Sequence, residues 1–238
     1  MKKTILLMGA SGDIGSAIAK KLMADGYQLI LHYHSNQAPI EALMQSDRHN
    51  AIVAAYQVNV ADETEVHAFI QAVSISVDGI VFAGGQAYYG LFQDMKPEEM
   101  DALLQVHVKS PWLITHHFLP DMIRRQQGSI VFVTSMWGDY GASNEVVYSS
   151  VKGAQNIFVK ALAKEVAVSN IQVNAVSPGF IDTKMNAHLS AEEAAVFIEE
   201  IPENRAGRPE EVANAVSYLL GDESSYIQGE IIHINGGL

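Results

Sequence analysis

Thr4-Ile5-Leu6-Leu7-Met8-Gly9-Ala10-Ser11-Gly12-Asp13-Ile14-Gly15 decides how this chain is read. Thr4–Met8 is a short, nearly continuous apolar run of strand type, and the residues from Ile14 to Asp25 carry helical spacing. The glycines between them let the backbone approach a ligand closely. The helix that follows offers unpaired N–H groups and the positive end of its dipole. A dinucleotide pyrophosphate suits that setting; a plain tight strand-to-helix turn is the competing reading. Gly9, Ser11, Gly12, Asp13, Ile14 and Gly15 are the candidate contacts. Asp13 is read as a helix N-cap facing outward, since a carboxylate turned toward phosphates would repel them.

Outward from that stretch the same alternation continues. Gln28–Tyr33, Ala51–Val58, Asp78–Ala83, Ser129–Thr134, Ile171–Val176 and Glu230–Ile234 read as further strands, seven in all. Ile130-Val131-Phe132-Val133 has no polar alternation, as expected of a strand covered on both faces. Helical stretches lie between the strands: Glu63–Val73, Pro97–Gln126, Tyr148–Val168, Ala191–Glu200 and Pro209–Leu220, with a weaker one at Ile40–Ser46. Strands alternating with helices predict right-handed βαβ units, hence an α/β fold of Rossmann type. The expectation is a doubly wound parallel sheet of about seven strands, helices on both faces, in a single domain over residues 1–238. Phe180–Arg205 interrupts the alternation and is acidic; it is read as a substrate lid or a surface helical excursion.

Bulk properties narrow the function. The chain has 238 residues, 48% of them hydrophobic and 18% charged, with no Cys, so disulfide and thiolate chemistry are excluded. A net charge of −12 makes a nucleic-acid partner a poor expectation, because phosphate contacts need a basic footprint. The Arg124-Arg125 pair reads as a solvated helix end. No segment approaches the roughly 18 apolar residues of a membrane span. MKKTILLMGAS is too short in its apolar run for a signal sequence, so a cytoplasmic location is expected and no membrane partner. No metal site is read.

Tyr148 and Lys152 share a helix face at i and i+4, with Ser135 thirteen residues upstream of the tyrosine. Most such pairs are surface neighbours. A phenol beside an ammonium can also serve as a general acid or base, since a cation favours the ionised phenol. At the end of the second strand, Leu31-His32-Tyr33-His34-Ser35-Asn36 lacks the acid that would hold the ribose 2′-hydroxyl of NAD. His34, Ser35 and Asn36 are free to hydrogen-bond a 2′-phosphate, so NADPH is favoured and NADH stays open.

Glycine loop, Ser135, Tyr148 and Lys152 together resemble the short-chain dehydrogenase/reductase family. The resemblance spans essentially the whole chain, with further matches at Asn174-Ala175-Val176-Ser177-Pro178-Gly179 followed by Thr183, at Arg205 through Ala213, and at Gln228-Gly229-Glu230 leading to Asn235-Gly236-Gly237. Order and spacing are similar to the 3-oxoacyl-acyl-carrier-protein reductase branch. The resemblance implies that Tyr148 protonates a carbonyl oxygen as hydride arrives, that Ser135 positions that oxygen, and that Lys152 lowers the tyrosine pKa and binds the nicotinamide ribose. It also implies that Asn59, Val60, Ala83, Gly84, Pro178, Gly179, Ile181 and Thr183 line the dinucleotide. Met8 and Asp13 depart from the family's glycine loop, Asn59 replaces an Asp, and Val81-Phe82 replace two asparagines. His107 stands where the family has its catalytic asparagine; it is read as holding a water or as filling the site. Between serine and tyrosine, Trp137 is read as a lid or wall of the substrate site, or as core packing, and Glu145 as a substrate contact. With Tyr148 through Gln155 that stretch looks like the elongation factor P 5-aminopentanone reductase branch, which reduces a ketone on a modified lysine. Its acidic residues suit a basic partner. The expected partner is thus a ketone, small or protein-borne. The resemblance further implies a homo-oligomer, dimer or tetramer, through the helices Pro97–Gln126 and Tyr148–Val168. The other class weighed is a catalytically weak nucleotide sensor or scaffold; the retained Ser, Tyr and Lys argue against it.

Overall fold

A computed structural model describes residues 2–187 and 189–238. Its sheet has seven strands in the order β3-β2-β1-β4-β5-β6-β7, all parallel. They are β1 Thr4–Met8, β2 Gln28–Tyr33, β3 Ile52–Gln57, β4 Gly79–Phe82, β5 Gly128–Val133, β6 Ile171–Pro178 and β7 Ile231–Ile234. The helices are α1 Asp13–Ala24, α2 Ala38–Ser46, α3 Glu63–Ala72, α4 Pro97–Leu104, α5 Ser110–Arg125, α6 Trp137–Tyr140, α7 Val146–Val166, α8 Ala191–Glu200 and α9 Pro209–Leu220. The expected doubly wound sheet and its seven strands are present, each expected strand being matched to within a few residues. Among the described residues, no helix is long and apolar enough to cross a membrane.

Alternate residues of each strand feed one of two cores. Leu6, Phe82, Ile130 and Phe132 pack with Ile114, Phe118 and Val159 on one face. Leu7, Val81, Val131 and Val133 pack with Ile18, Leu22, Val216 and Leu219 on the other. This two-sided burial is why the strands read as unbroken apolar runs. Each such side chain contributes on the order of 1.5–3 kcal/mol by leaving water. Val81 and Phe82, where the family has asparagines, are ordinary members of these cores.

The strand order reverses between β1 and β4, and the crevice beyond the carboxyl ends of the strands there is where such folds bind ligands. Two loops meet at that point. Gly9, at φ +83°, runs so close to the end of β4 that a Cβ on it would lie 2.3 Å from the Gly84 Cα.

The expected single helix Pro97–Gln126 is instead α4 and α5 joined by a π turn over Gln105–Lys109. The Ser110 N–H donates to the Gln105 carbonyl, five residues back. Pro111 has no N–H to give the His107 carbonyl four residues earlier, so a regular helix fails here. The freed His107 carbonyl accepts from Gln155 Nε2 on α7 at 2.7 Å.

Candidate active site

An open cleft lies over the carboxyl ends of β4, β5 and β6. β5 ends at Val133, and Ser135 follows as the chain leaves the sheet, its Oγ accepting the Trp137 N–H at 3.2 Å. α7 brings Tyr148 and Lys152 to the same cleft on one helical face, both buried. His107, carried by the π turn, forms the adjoining wall, its ring edge-on to Tyr148 with centroids 5.6 Å apart. The four residues expected to act together therefore line one cavity.

Burial sets their electrostatics. The Tyr148 phenol is pushed up to about 12, first by desolvation and then by the Glu145 carboxylate, while its hydrogen bond with Ser135 pulls the other way. Lys152 is lowered to about 7 by desolvation. Its Nζ donates to the Val133 carbonyl at 2.9 Å and lies 5.7 Å from the Tyr148 ring centroid. The expected lowering of the phenol by Lys152 is thus not what this structure shows. Desolvation and the Glu145 carboxylate prevail over the Ser135 hydrogen bond, and Tyr148 is a protonated donor at neutral pH. His107 is lowered to about 3, by desolvation and then by the charge of Lys152. Its Nε2 lies 2.8 Å from the Gln86 carbonyl oxygen and 3.3 Å from the Gln86 backbone nitrogen, and the shorter contact favours the Nε2–H tautomer. Nδ1 is buried with no hydrogen-bond partner, which in that tautomer leaves it an unused acceptor.

The expected dinucleotide contacts fall into two groups. Ile14, Ala83, Gly84, Pro178, Gly179, Ile181 and Thr183 line the cleft. Gly9, Ser11, Gly12, Asp13 and Gly15 form the β1–α1 turn and the first turn of α1 beside it, while His34, Ser35 and Asn36 are exposed beyond β2. The turn fits a dinucleotide. A Cβ on Gly15 would stand 2.1 Å from the Gly9 carbonyl oxygen, so bare backbone crosses bare backbone. The N-cap Gly12 makes no side-chain cap bond, which leaves first-turn N–H groups for an anion. Asp13 is not the N-cap expected of it. It is the first helical residue, and its Oδ2 accepts the Lys184 N–H at 2.7 Å. Asn59 Oδ1 accepts the Ala61 N–H at 3.1 Å, and Val60 packs against the core while its carbonyl accepts from Ser110 Oγ.

Trp137 and Glu145 both line the cleft. Sequence reasoning did not single out Gly85, Ala87, Tyr89, Val133 or Thr134, which complete its walls, while Met185 and Asn186 come from the segment expected as a lid. Nor did it anticipate Gln155, which fixes the π turn; Pro111 was the available signal. The segment 180–205 forms a short 3-10 turn at Lys184–Asn186 and then α8, capped by Ser190. Phe180 stacks on Phe197 with centroids 5.6 Å apart. His188 of this segment lies outside the described residues. Among the described residues no three His, Asp or Glu side chains cluster as metal ligands.

A family profile described as enoyl-(acyl-carrier-protein) reductase matches residues 9–238. A Bacillus subtilis protein described as an uncharacterized oxidoreductase is 41% identical, covering 100% of this chain and 99% of its own. The 3-oxoacyl-(acyl-carrier-protein) reductase of Aquifex aeolicus is 37% identical over 99% of this chain and 97% of its own. Among solved structures, a 3-oxoacyl-(acyl-carrier-protein) reductase from Agrobacterium tumefaciens with NADP bound superposes with TM-score 0.91 at 26% identity. That match covers 99% of this chain and 94% of the other. A gluconate 5-dehydrogenase-like protein from Beutenbergia cavernae, also with NADP, gives 0.92 at 25%, covering 98% and 95%.

Proposed function

Because the chain belongs to the short-chain dehydrogenase/reductase family, oxidoreductases that interconvert C=O and CH–OH with NAD(P), we propose that it is an NADPH-dependent ketone reductase. The observation that carries this is the convergence of Ser135, Tyr148 and Lys152 on one buried-walled cleft beside a bare glycine turn. NADPH, held by the Gly9–Gly15 turn, Pro178–Thr183 and the acid-free end of β2, supplies the hydride when bound. Ser135 Oγ donates to the ketone oxygen and orients it. The Tyr148 phenol, protonated far above neutral pH, gives its proton to that oxygen as negative charge develops there. Lys152 faces the phenolate so formed and stabilises it. His107, edge-on to the Tyr148 ring, accepts at Nδ1 from a water through which the proton is restored. Segment 180–205 acts as the lid, with Met185 and Asn186 at the cleft.

We infer the class of ketone from the charge of the cleft wall. Glu145 lies in it and bears electrostatically on Tyr148, in a chain of net charge −12. A ketone carried on an ammonium-bearing arm is attracted there, whereas the anionic carrier protein of an acyl thioester is repelled. The aminopentanone-modified lysine of elongation factor P is such a substrate. We place self-association on the exposed Leu104, Trp112 and Ile157 of α4, α5 and α7, and the enzyme in the cytoplasm. The test is NADPH oxidation with a small amino ketone, the modified factor and an acetoacetyl thioester. Ketone-dependent turnover with preference for the amine-bearing substrates is expected. Preference for the thioester overturns the substrate assignment, and no turnover with any of them favours a nucleotide sensor.

A further inference from the structure

His32, in the interior of β2, is 4% exposed and touches no part of the catalytic cleft. Its Nδ1 accepts the Gly9 N–H at 3.0 Å, and its Nε2 stands 3.0 Å from the Val58 carbonyl oxygen. An N–H and a C=O at the two ring nitrogens admit one arrangement only, the neutral imidazole with its proton on Nε2. Both backbone groups lie just past the sheet ladder. The β1–β2 pairing runs to Leu7–Leu31 and the β2–β3 pairing to Tyr33–Gln57. Neither Gly9 nor Val58 therefore has a strand partner for these groups. The main chain of the same strand adds two bonds to the same loops: Ala10 N–H to the His32 carbonyl at 2.8 Å, and Val58 N–H to the Tyr33 carbonyl at 2.9 Å. Phe69 packs against the ring, with centroids 6.0 Å apart.

We propose that His32 is a positioning residue for the dinucleotide, a clamp that ties the first glycine of the phosphate turn to the end of β3 and so fixes the spacing of the two halves of the groove. The inference rests on the NADPH reading above and goes beyond it, because His32 is outside the residues assigned to substrate or cofactor. Gly9 begins the turn at φ +83°, and Asn59 and Val60 follow Val58 directly. Whatever sets the Gly9–Val58 separation therefore spaces the phosphate turn from the Asn59–Val60 loop. The neutral state is enforced by desolvation, which lowers the ring to about 4 against the opposing hydrogen bond that Nε2–H donates to the Val58 carbonyl. A proton on Nδ1 would face the Gly9 N–H donor to donor. An apolar residue of similar size would fill the same space and leave an N–H and a C=O buried and unpaired.

The test compares wild type with His32→Asn and His32→Phe in NADPH binding, by nucleotide fluorescence, and in steady-state kinetics. His32→Asn retains an acceptor near Gly9 and is too short for Val58; His32→Phe loses both bonds. Kd and KM for NADPH are expected to rise about tenfold or more in His32→Phe and less in His32→Asn. KM for the ketone and kcat at saturating NADPH should stay near wild type. A fall in melting temperature with unchanged Kd for NADPH in both variants overturns the clamp. If His32→Phe does not fold, His32→Asn and imidazole nitrogen NMR of the wild type decide. The Nε2–H tautomer with a shift on adding NADPH supports the clamp, and the Nδ1–H tautomer or an unresponsive ring overturns it. Wild type that binds no NADPH refutes the cofactor reading, and the clamp with it.

Discussion

At the N-terminal end of the sheet, Arg125 donates to Asp78 at 2.5 Å, to Asp121 at 2.8 Å and to the Val77 carbonyl at 2.6 Å. Asp78 in turn accepts the Thr4 N–H at 2.8 Å. At the C-terminal end, Lys152 makes one bond to a carbonyl, Tyr148 faces a cleft, and His107 Nδ1 has no partner. Burial opposes the charge of Arg125, but its bonds to Asp121 and Asp78 prevail and raise its pKa. Burial of Lys152 meets no carboxylate and lowers its pKa to about 7. One end saturates its polar groups with one another; the other withholds partners, so that a substrate can supply them. Perturbed groups of this kind gather where chemistry is done.

Replacing Lys152 by Met should abolish that contrast and has the largest expected effect of three. Turnover should fall on the order of 10²–10³-fold, while the fold is stabilised at neutral pH. The sign follows from linkage. The folded-state pKa of Lys152, about 7, lies below the ordinary lysine value of 10.5. Between those values the unfolded chain binds more protons, so wild-type stability rises with pH. The advantage of Lys152→Met in thermal melts should therefore be full below about pH 7 and vanish above about pH 10.5. Arg125→Leu should act in the reverse sense. It removes the guanidinium that joins Asp78, Asp121 and the Val77 carbonyl, leaving Asp78 only the Thr4 N–H and Asp121 only Arg124 and Ser76, and should cost roughly 2–3 kcal/mol in denaturant melts, with kcat intact at low temperature. Glu145→Gln is the mildest. KM for an amine-bearing ketone should rise about three- to tenfold, KM for a neutral ketone should not move, and the Tyr148 phenol should titrate lower in an absorbance titration.

Much of this contrast was legible in the chain. Continuous apolar runs such as Ile130–Val133 announce two-sided strands, and the glycine turn before Ile14 and the Tyr148/Lys152 spacing locate the site. What escaped depends on distant neighbours. Asp13 suits a helix cap by its position, yet its carboxylate is taken by the Lys184 N–H, 171 residues away. A lysine four residues from a tyrosine is expected to lower its pKa, but desolvation is set by what covers the pair. Apolar spacing from Pro97 to Gln126 hides the π turn because the pattern resumes in phase on its far side; Pro111 betrays it only once the fate of the His107 carbonyl is asked. The Arg124-Arg125 pair reads as a solvated helix end, yet Arg125 reaches under the sheet to Asp78.

Tyr148→Phe tests the central claim most directly, because it deletes one oxygen from the partner-withholding end and leaves the packing. The decisive measurement is kcat/KM for ketone-dependent NADPH oxidation, set beside the Kd for NADPH and the melting temperature. If Tyr148 is the proton donor, kcat/KM should fall on the order of 10²–10⁴-fold while NADPH affinity and melting temperature stay at wild-type values. A variant that turns over ketone at the wild-type rate would contradict the claim.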